Sequence, residues 1–113
     1  MDHQALIAQE LATAESAWNE ANEGKARVCA RRAVALATDA WRLRCSLSPW
    51  GGDAMAHLRR IQQDTLFPLA VREAAERLST TVTRRDSAPF TTDPIGDAQL
   101  IIAHLRMGSG EGG

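Results

Sequence analysis

The sequence contains few aromatic residues, no tyrosine and no long apolar run. Aromatic residues make up 4% of the 113 residues, and three of them are tryptophans. A core must therefore pack mainly through Ala, Leu, Ile and Val, with the tryptophans as large fillers. No stretch approaches the ~18 apolar residues of a membrane span, and the N-terminal MDHQALIAQE lacks the basic start and apolar run of a signal peptide. These absences predict a close-packed cytoplasmic protein.

The two cysteines, Cys29 and Cys45, fall on one predicted helix. Their separation in sequence places them roughly 24 Å apart at about 1.5 Å per residue, which is too far for a disulfide bond. Free thiols agree with a reducing, cytoplasmic location.

Several nucleotide-, metal- and redox-binding motifs are missing. The sequence has no Walker loop, no G-x-G-x-x-G, no H-E-x-x-H and no C-x-x-C. Asp53 and His57 are spaced for one helix face and could ligate a metal, but Asp53 is better explained as a helix cap. We therefore expect neither a cofactor, nor a metal site, nor a hydrolytic or redox enzyme.

The net charge of −1 argues against a general affinity for nucleic acid or anionic membrane. The charge is unevenly distributed, because residues 1–23 carry a net −5 and residues 24–46 a net +5. These two segments can therefore neutralise each other before either meets a partner.

Apolar residues at three- and four-residue steps predict an all-α fold, a single bundle of four to five helices. We expect the bundle over residues 1–107 and a flexible Gly/Ser tail over 108–113. We also expect a loop over 81–92, with Val82 and Phe90 as candidate anchors to the core. The predicted helices span about 4–21, 23–45, 54–63, 68–80 and 94–107.

The helix ends carry recognisable signals. Asp53 and the Asp93–Pro94 pair indicate helix starts, whereas two interpretations stay open at the first joint: Gly24 ends the first helix, or Asn22 caps the second. An i,i+4 pair between Glu73 and Arg77 is also expected.

The second helix has an apolar arc about half a turn wide, which predicts that it is the central element. Leu36 and Leu43 fall in that arc among many alanines, and only Arg44 intrudes. An arc so wide contacts more than one neighbour, and a second copy of the chain is one candidate to cover it.

Three arginines of this helix, Arg27, Arg31 and Arg42, lie within about 60° of one another on a helical wheel, with Thr38 among them. Guanidinium groups in line could hold successive phosphates. The alternatives are a solvated face that pairs with the acidic first helix, or a surface for a protein partner.

Trp50 and Cys29 are the remaining candidates. Trp50, in SPWGG, either anchors a partner or folds over the core, and folding is the commoner outcome. Cys29 lies among Arg27, Arg31 and Arg32, which favours a thiolate, yet it falls in the apolar arc and packs as a small hydrophobe. His104 is expected at the surface.

GKARVCARRAVALA, after an acidic Ala-rich helix, resembles the second helix of small bacterial proteins related to the HEPN bundles. VREAAERLSTTVT and DPIGDAQLIIAHL look like the closing part of proteins in the same group, so that the resemblance covers most of residues 5–106. Many HEPN proteins are RNases with an Arg shortly before a His, and that motif is absent before His57 and His104. The resemblance implies a bundle with the HEPN-like up-and-down arrangement of helices but without the nuclease, as in members that bind partners or substrates.

Three hypotheses follow, in order of preference. The first is a non-catalytic bacterial protein that acts through protein–protein contacts, with a homodimer as one form. The second is an RNA- or nucleotide-binding module that uses Arg27, Arg31 and Arg42. The third is an enzyme centred on Cys29. The candidate binding residues are Arg27, Arg31, Arg42 and Trp50.

Overall fold

A computed structural model describes residues 2–80 and 91–111, and within them the chain is all-α with no strand. Val82 and Phe90 lie outside the described residues. The five helices are α1 (His3–Asn19), α2 (Glu23–Arg44), α3 (Ala54–Gln63), α4 (Leu69–Ser79) and α5 (Pro94–Glu111). The predicted all-α bundle of helices is confirmed, although α5 continues past its predicted end at Met107.

Four helices begin at an Asp or Asn whose side chain accepts a hydrogen bond from a backbone N–H three residues on. The caps are Asp2, Asn22, Asp53 and Asp93, at N···O distances of 2.8, 3.2, 3.0 and 3.0 Å. Of the two interpretations of the first joint, the structure therefore confirms that Asn22 caps α2, and Gly24 lies inside α2. Pro68 precedes α4 without a side-chain cap.

α1 and α2 both end in a Schellman motif built on a residue other than glycine. Ala21 and Ser46 adopt φ values of 62° and 59°. Beyond them, the N–H groups of Asn22 and Leu47 donate back to the carbonyls of Ala17 and Arg42, both at 2.8 Å. This arrangement satisfies carbonyls at the helix ends and turns the chain sharply.

α2 is the central helix, as the apolar arc predicts. It packs against α1, α3 and α5 and contacts α4. Five of its six alanines are buried, so the helices approach closely. The larger core side chains come mainly from the other helices, among them Ile7, Leu58, Ile61, Leu78 and Ile101. The arc is therefore covered largely within the chain, except at its end, where Leu43 is 57% exposed instead of inward.

A half-buried ion pair joins α4 to α5. Arg77 Nη2 donates to Asp97 Oδ1 at 2.7 Å, and Thr91 Oγ1 donates to Asp97 Oδ2 at 2.6 Å. The hydrogen bond to Asp97 raises the pKa of Arg77. The predicted Glu73–Arg77 pair is wrong, because the guanidinium turns towards the more buried carboxylate on α5.

No helix in the described part of the chain is both long and apolar enough to cross a bilayer.

Candidate functional site

The predicted outward stripe of α2 does not form. Arg27 is 6% exposed and Thr38 is fully buried. Arg31 is half-buried, and its Nε donates to the Leu78 carbonyl on α4 at 2.7 Å. The prediction is wrong because a helical wheel gives the angle of a side chain but not which neighbouring helix covers that angle.

Arg27 and Arg31 instead form part of the packing at the start of α2. Arg27 lies 3.7 Å from Glu23, one turn before it. Burial and the nearby charge of Arg27 lower the pKa of Arg31. These two guanidiniums therefore contact the chain itself rather than presenting a row of donors to solvent.

Arg42, at the other end of α2, has a different environment. Its Nε donates to the Ser48 carbonyl at 2.7 Å, which holds the loop after α2 against the helix. Its guanidinium carbon lies 5.6 Å from the Trp50 ring centre, within cation–π range. The structure therefore brings together Arg42 and Trp50 but separates them from Arg27 and Arg31.

Trp50 folds over the core, as the commoner alternative predicts. Its ring packs edge-on against Trp41 at a centroid distance of 5.6 Å and against His57 at 5.8 Å. Gly51 and Gly52 follow with φ values of 76° and 78°, which glycine adopts without strain. They connect Trp50 to Asp53, the cap of α3.

His57 is a buried polar residue beneath Trp50, and Asp53 caps α3 through the Ala56 N–H. Thr38 Oγ1 donates to the Ala35 carbonyl at 2.8 Å and is hydrogen-bonded to His57 Nδ1. No group of three or more metal-ligating side chains occurs within residues 2–80 and 91–111.

An open cleft of about 590 Å³ lies between the end of α2, the loop holding Trp50, and α3 with the turn that follows it. We call it the aromatic–arginine cleft and define it by Trp41, Arg42, Trp50, Arg60 and Leu66. The Arg60 guanidinium carbon lies 5.0 Å from the Trp50 ring centre. Two cations thus share one aromatic ring at the mouth of the cleft.

A smaller pocket of about 130 Å³ adjoins this cleft. Phe67, His104 and Leu105 line it, and it shares Trp41, Asp64 and Leu66 with the larger cleft. His104 is half-buried with its ring 5.7 Å from that of Phe67, so it belongs to this wall instead of lying free at the surface.

Exposed leucines line the rim of the cleft. Leu66 is 88% exposed and Leu47 is 46% exposed. The turn holds Leu66 outward, because its N–H donates to Asp64 Oδ1 at 2.9 Å while Phe67 points into the core. Leucines beside an aromatic wall are characteristic of an interaction surface.

The cleft is more basic than acidic. Neither Arg42 nor Arg60 has a carboxylate within salt-bridge distance in the described part of the chain. Asp64 is the acidic residue of the wall, and one of its oxygens already accepts from the turn.

Sequence reasoning missed Arg60, Asp64, Leu66 and the part played by His104. Arg60 lies on the exposed side of α3, and Leu66 lies in a turn without helical period. The available signal was DTLF itself, in which two large apolar residues follow one another in a short joint.

Cys29 is a core residue. It is 3% exposed and packs with Ala14 and Ile95. Burial, and then the charge of Glu10, raises the pKa of its thiol. The arginines nearby in sequence therefore do not produce a thiolate here, which disfavours an enzyme centred on this residue.

Comparison of the chain with protein families, with curated proteins and with solved structures finds no match. The function is therefore inferred from the geometry of the cleft.

Proposed function

We propose that this chain is a non-catalytic helical protein that binds a polypeptide partner at the aromatic–arginine cleft. The observation that carries the proposal is Leu66, a large apolar side chain held 88% exposed at the rim of a cleft walled by Trp41 and Trp50. Trp and Arg are the residue types that dominate binding energy at protein interfaces. Exposed leucines around them exclude water once a partner is seated.

Further features belong to the same proposal. The protein acts in the cytoplasm of a bacterium, and its five helices follow the up-and-down arrangement of the HEPN bundles without their nuclease motif. The buried Cys29 thiol supports binding rather than covalent chemistry.

A homodimer is one form of this proposal. Because neighbouring helices cover the middle of α2, the surface for a second copy shifts to the end of α2 and the cleft rim, where Leu43, Leu47 and Leu66 are exposed. Light scattering at rising concentration tests it. A mass that doubles and returns to the monomer in Leu66→Asp supports the dimer, and a strict monomer removes it.

Binding of RNA or a nucleotide is the second candidate. The arginines that would bind it differ from those of the sequence-based hypothesis. Arg42 and Arg60 over Trp50 favour it, because arginine and an aromatic ring together bind phosphate and base. Arg27 and Arg31 no longer contribute to it. Fluorescence anisotropy with a labelled RNA oligonucleotide and with ATP tests it, and binding that persists in Arg60→Glu would count against it.

The proposed protein-binding function is tested by panning a random-peptide phage library on the full chain. Enriched peptides should bind Leu66→Asp at least about tenfold more weakly than wild type, because a charge on the rim stays hydrated and prevents apolar contact. The matched control is Leu69→Asp, an exposed leucine of α4 that does not line the cleft. Circular dichroism confirms the fold of both variants.

Equal losses in Leu66→Asp and Leu69→Asp would contradict the proposal, as would a library that yields no binder.

A further inference from the structure

We propose that the partner segment is acidic: a peptide in which a carboxylate lies beside a large apolar side chain. This inference rests on the proposed binding of a polypeptide at the aromatic–arginine cleft. It adds the chemistry by which the partner is recognised. The cleft binds the carboxylate, and the smaller adjoining pocket binds the apolar side chain.

The carboxylate is recognised by Arg42 and Arg60. Both guanidiniums lie over Trp50, at 5.6 and 5.0 Å from the ring centre, so the ring holds them at the mouth of the cleft. Arg42 uses its Nε for the Ser48 carbonyl. Its remaining N–H groups have no carboxylate partner within residues 2–80 and 91–111. A carboxylate placed here receives charge-assisted hydrogen bonds from donors already fixed in position.

The apolar side chain is recognised by the adjoining pocket. Its volume of about 130 Å³ is of the size of one large aliphatic side chain, and Phe67 and Leu105 form its apolar walls. Trp41 and Leu66 line both this pocket and the larger cleft. A carboxylate and an apolar group on neighbouring residues of one segment therefore reach both sites together.

The position of Asp64 favours a carboxylate over a phosphate. Asp64 lines both parts of the surface, and its charge opposes an anion. A phosphate monoester carries close to two negative charges at neutral pH and a carboxylate carries one, so the repulsion is smaller for an acidic peptide than for a phosphate monoester. The exposed Leu47 and Leu66 also favour a partner with an apolar face, which a polyphosphate lacks.

The experiment uses two fluorescein-labelled peptides, one carrying alternating Glu and Leu and the other with Gln in place of every Glu. Anisotropy titrations with the full chain should give binding about tenfold tighter for the Glu peptide, since a charge-assisted hydrogen bond is roughly twice as strong as a neutral one. Adding salt should reduce that difference.

The protein variants are Arg60→Glu and, as the matched control, Arg59→Glu. Both arginines are exposed on α3 and the charge change is identical, but only Arg60 lines the cleft. Arg60→Glu should lose the preference for Glu over Gln, whereas Arg59→Glu should keep it. A third peptide, with Lys in place of Glu, should bind Arg60→Glu more tightly than it binds wild type.

Each outcome separates this inference from the proposed function. Equal binding of the Glu and Gln peptides, with both lost in Leu66→Asp, overturns the acidic partner and leaves protein binding intact. Equal effects of Arg59→Glu and Arg60→Glu also overturn it, because the preference would then come from net charge. An RNA oligonucleotide or ATP that displaces the Glu peptide and binds more tightly overturns it in favour of a phosphate ligand. Self-association that only Leu66→Asp abolishes, with no peptide bound, overturns it in favour of a second copy.

Discussion

Arginines in two regions of this molecule have opposite environments. Between α4 and α5, Arg77 meets Asp97 at N···O distances of 2.7 to 3.3 Å, and Thr91 completes the carboxylate's hydrogen bonds. In the aromatic–arginine cleft, Arg42 and Arg60 rest on Trp50 without a carboxylate partner in the described residues. The first arginine joins two helices, and we propose that the other two bind a carboxylate of the partner.

The comparison shows that an arginine's role depends on what lies opposite it and not on its spacing along a helix. Arg31 is a further example, because its Nε donates to the Leu78 carbonyl of α4. Removing a partner should therefore destabilise the fold at Arg77, whereas removing an arginine from the cleft should mainly affect binding.

The largest expected effect on stability is that of Asp97→Ala. It leaves the Arg77 guanidinium and the Thr91 hydroxyl without their acceptor, and we expect a loss of about 2–4 kcal/mol in the free energy of unfolding. Urea denaturation followed by circular dichroism measures it. Glu73→Ala, which removes an exposed carboxylate one turn from Arg77, is the control and should cost under about 0.5 kcal/mol. Equal losses in the two variants would contradict the structural role assigned to the Arg77–Asp97 pair.

Thr38→Val tests the buried support of the cleft. The substitution leaves His57 Nδ1 without its hydrogen-bond partner beneath Trp50, and we expect a loss of about 1–3 kcal/mol in the free energy of unfolding. Denaturation of Thr38→Val and Thr38→Ser side by side measures it. Because serine keeps the hydroxyl, it should retain most of the stability, and an equal loss in both variants would assign the effect to packing instead of the hydrogen bond.

Arg42→Ala should have a smaller effect. It removes one hydrogen bond to the Ser48 carbonyl and one contact with the Trp50 ring. Because the hydrogen bond is exposed and Trp50 is only half-buried, we expect a loss of about 1 kcal/mol in the free energy of unfolding. Thermal unfolding by calorimetry checks it. A loss as large as that of Asp97→Ala would mean that Arg42 is structural in the same sense as Arg77.

Arg60→Ala should have the smallest effect on stability. Arg60 is exposed, and its one described contact is the Trp50 ring, so the change in unfolding free energy should stay within about 0.5–1 kcal/mol. Denaturation and peptide binding are measured on the same preparation. A large loss of stability together with unchanged binding would reverse the roles assigned to the two regions.

The sequence predicts much of the fold because helix signals are local. Asp53 and Asn22 cap helices through groups three residues away, and the alanines of α2 recur on one face. Such patterns need no knowledge of distant parts of the chain. Ala21 and Ser46 are exceptions, since they adopt a left-handed backbone that usually indicates glycine.

The site is less predictable because it depends on contacts between helices. The wheel places Arg27, Arg31 and Arg42 in one row, but α4 covers Arg31 and the loop after α2 brings Trp50 to Arg42. Trp50 is the candidate that sequence reasoning placed correctly over the core. Leu66 carries no periodic signal, since a turn and not a helix fixes its direction.

The most direct test of the cleft as a binding surface uses the three tryptophan indole N–H signals in a ¹H–¹⁵N NMR spectrum. Trp41 and Trp50 line the cleft, whereas Trp18 on α1 packs against a separate cluster with Ala14 and Cys29. Trp→Phe variants assign each signal. On addition of the alternating Glu and Leu peptide, the signals of Trp50 and Trp41 should shift progressively while that of Trp18 stays in place. A shift of Trp18 alone, or equal shifts of all three, would contradict binding at this cleft.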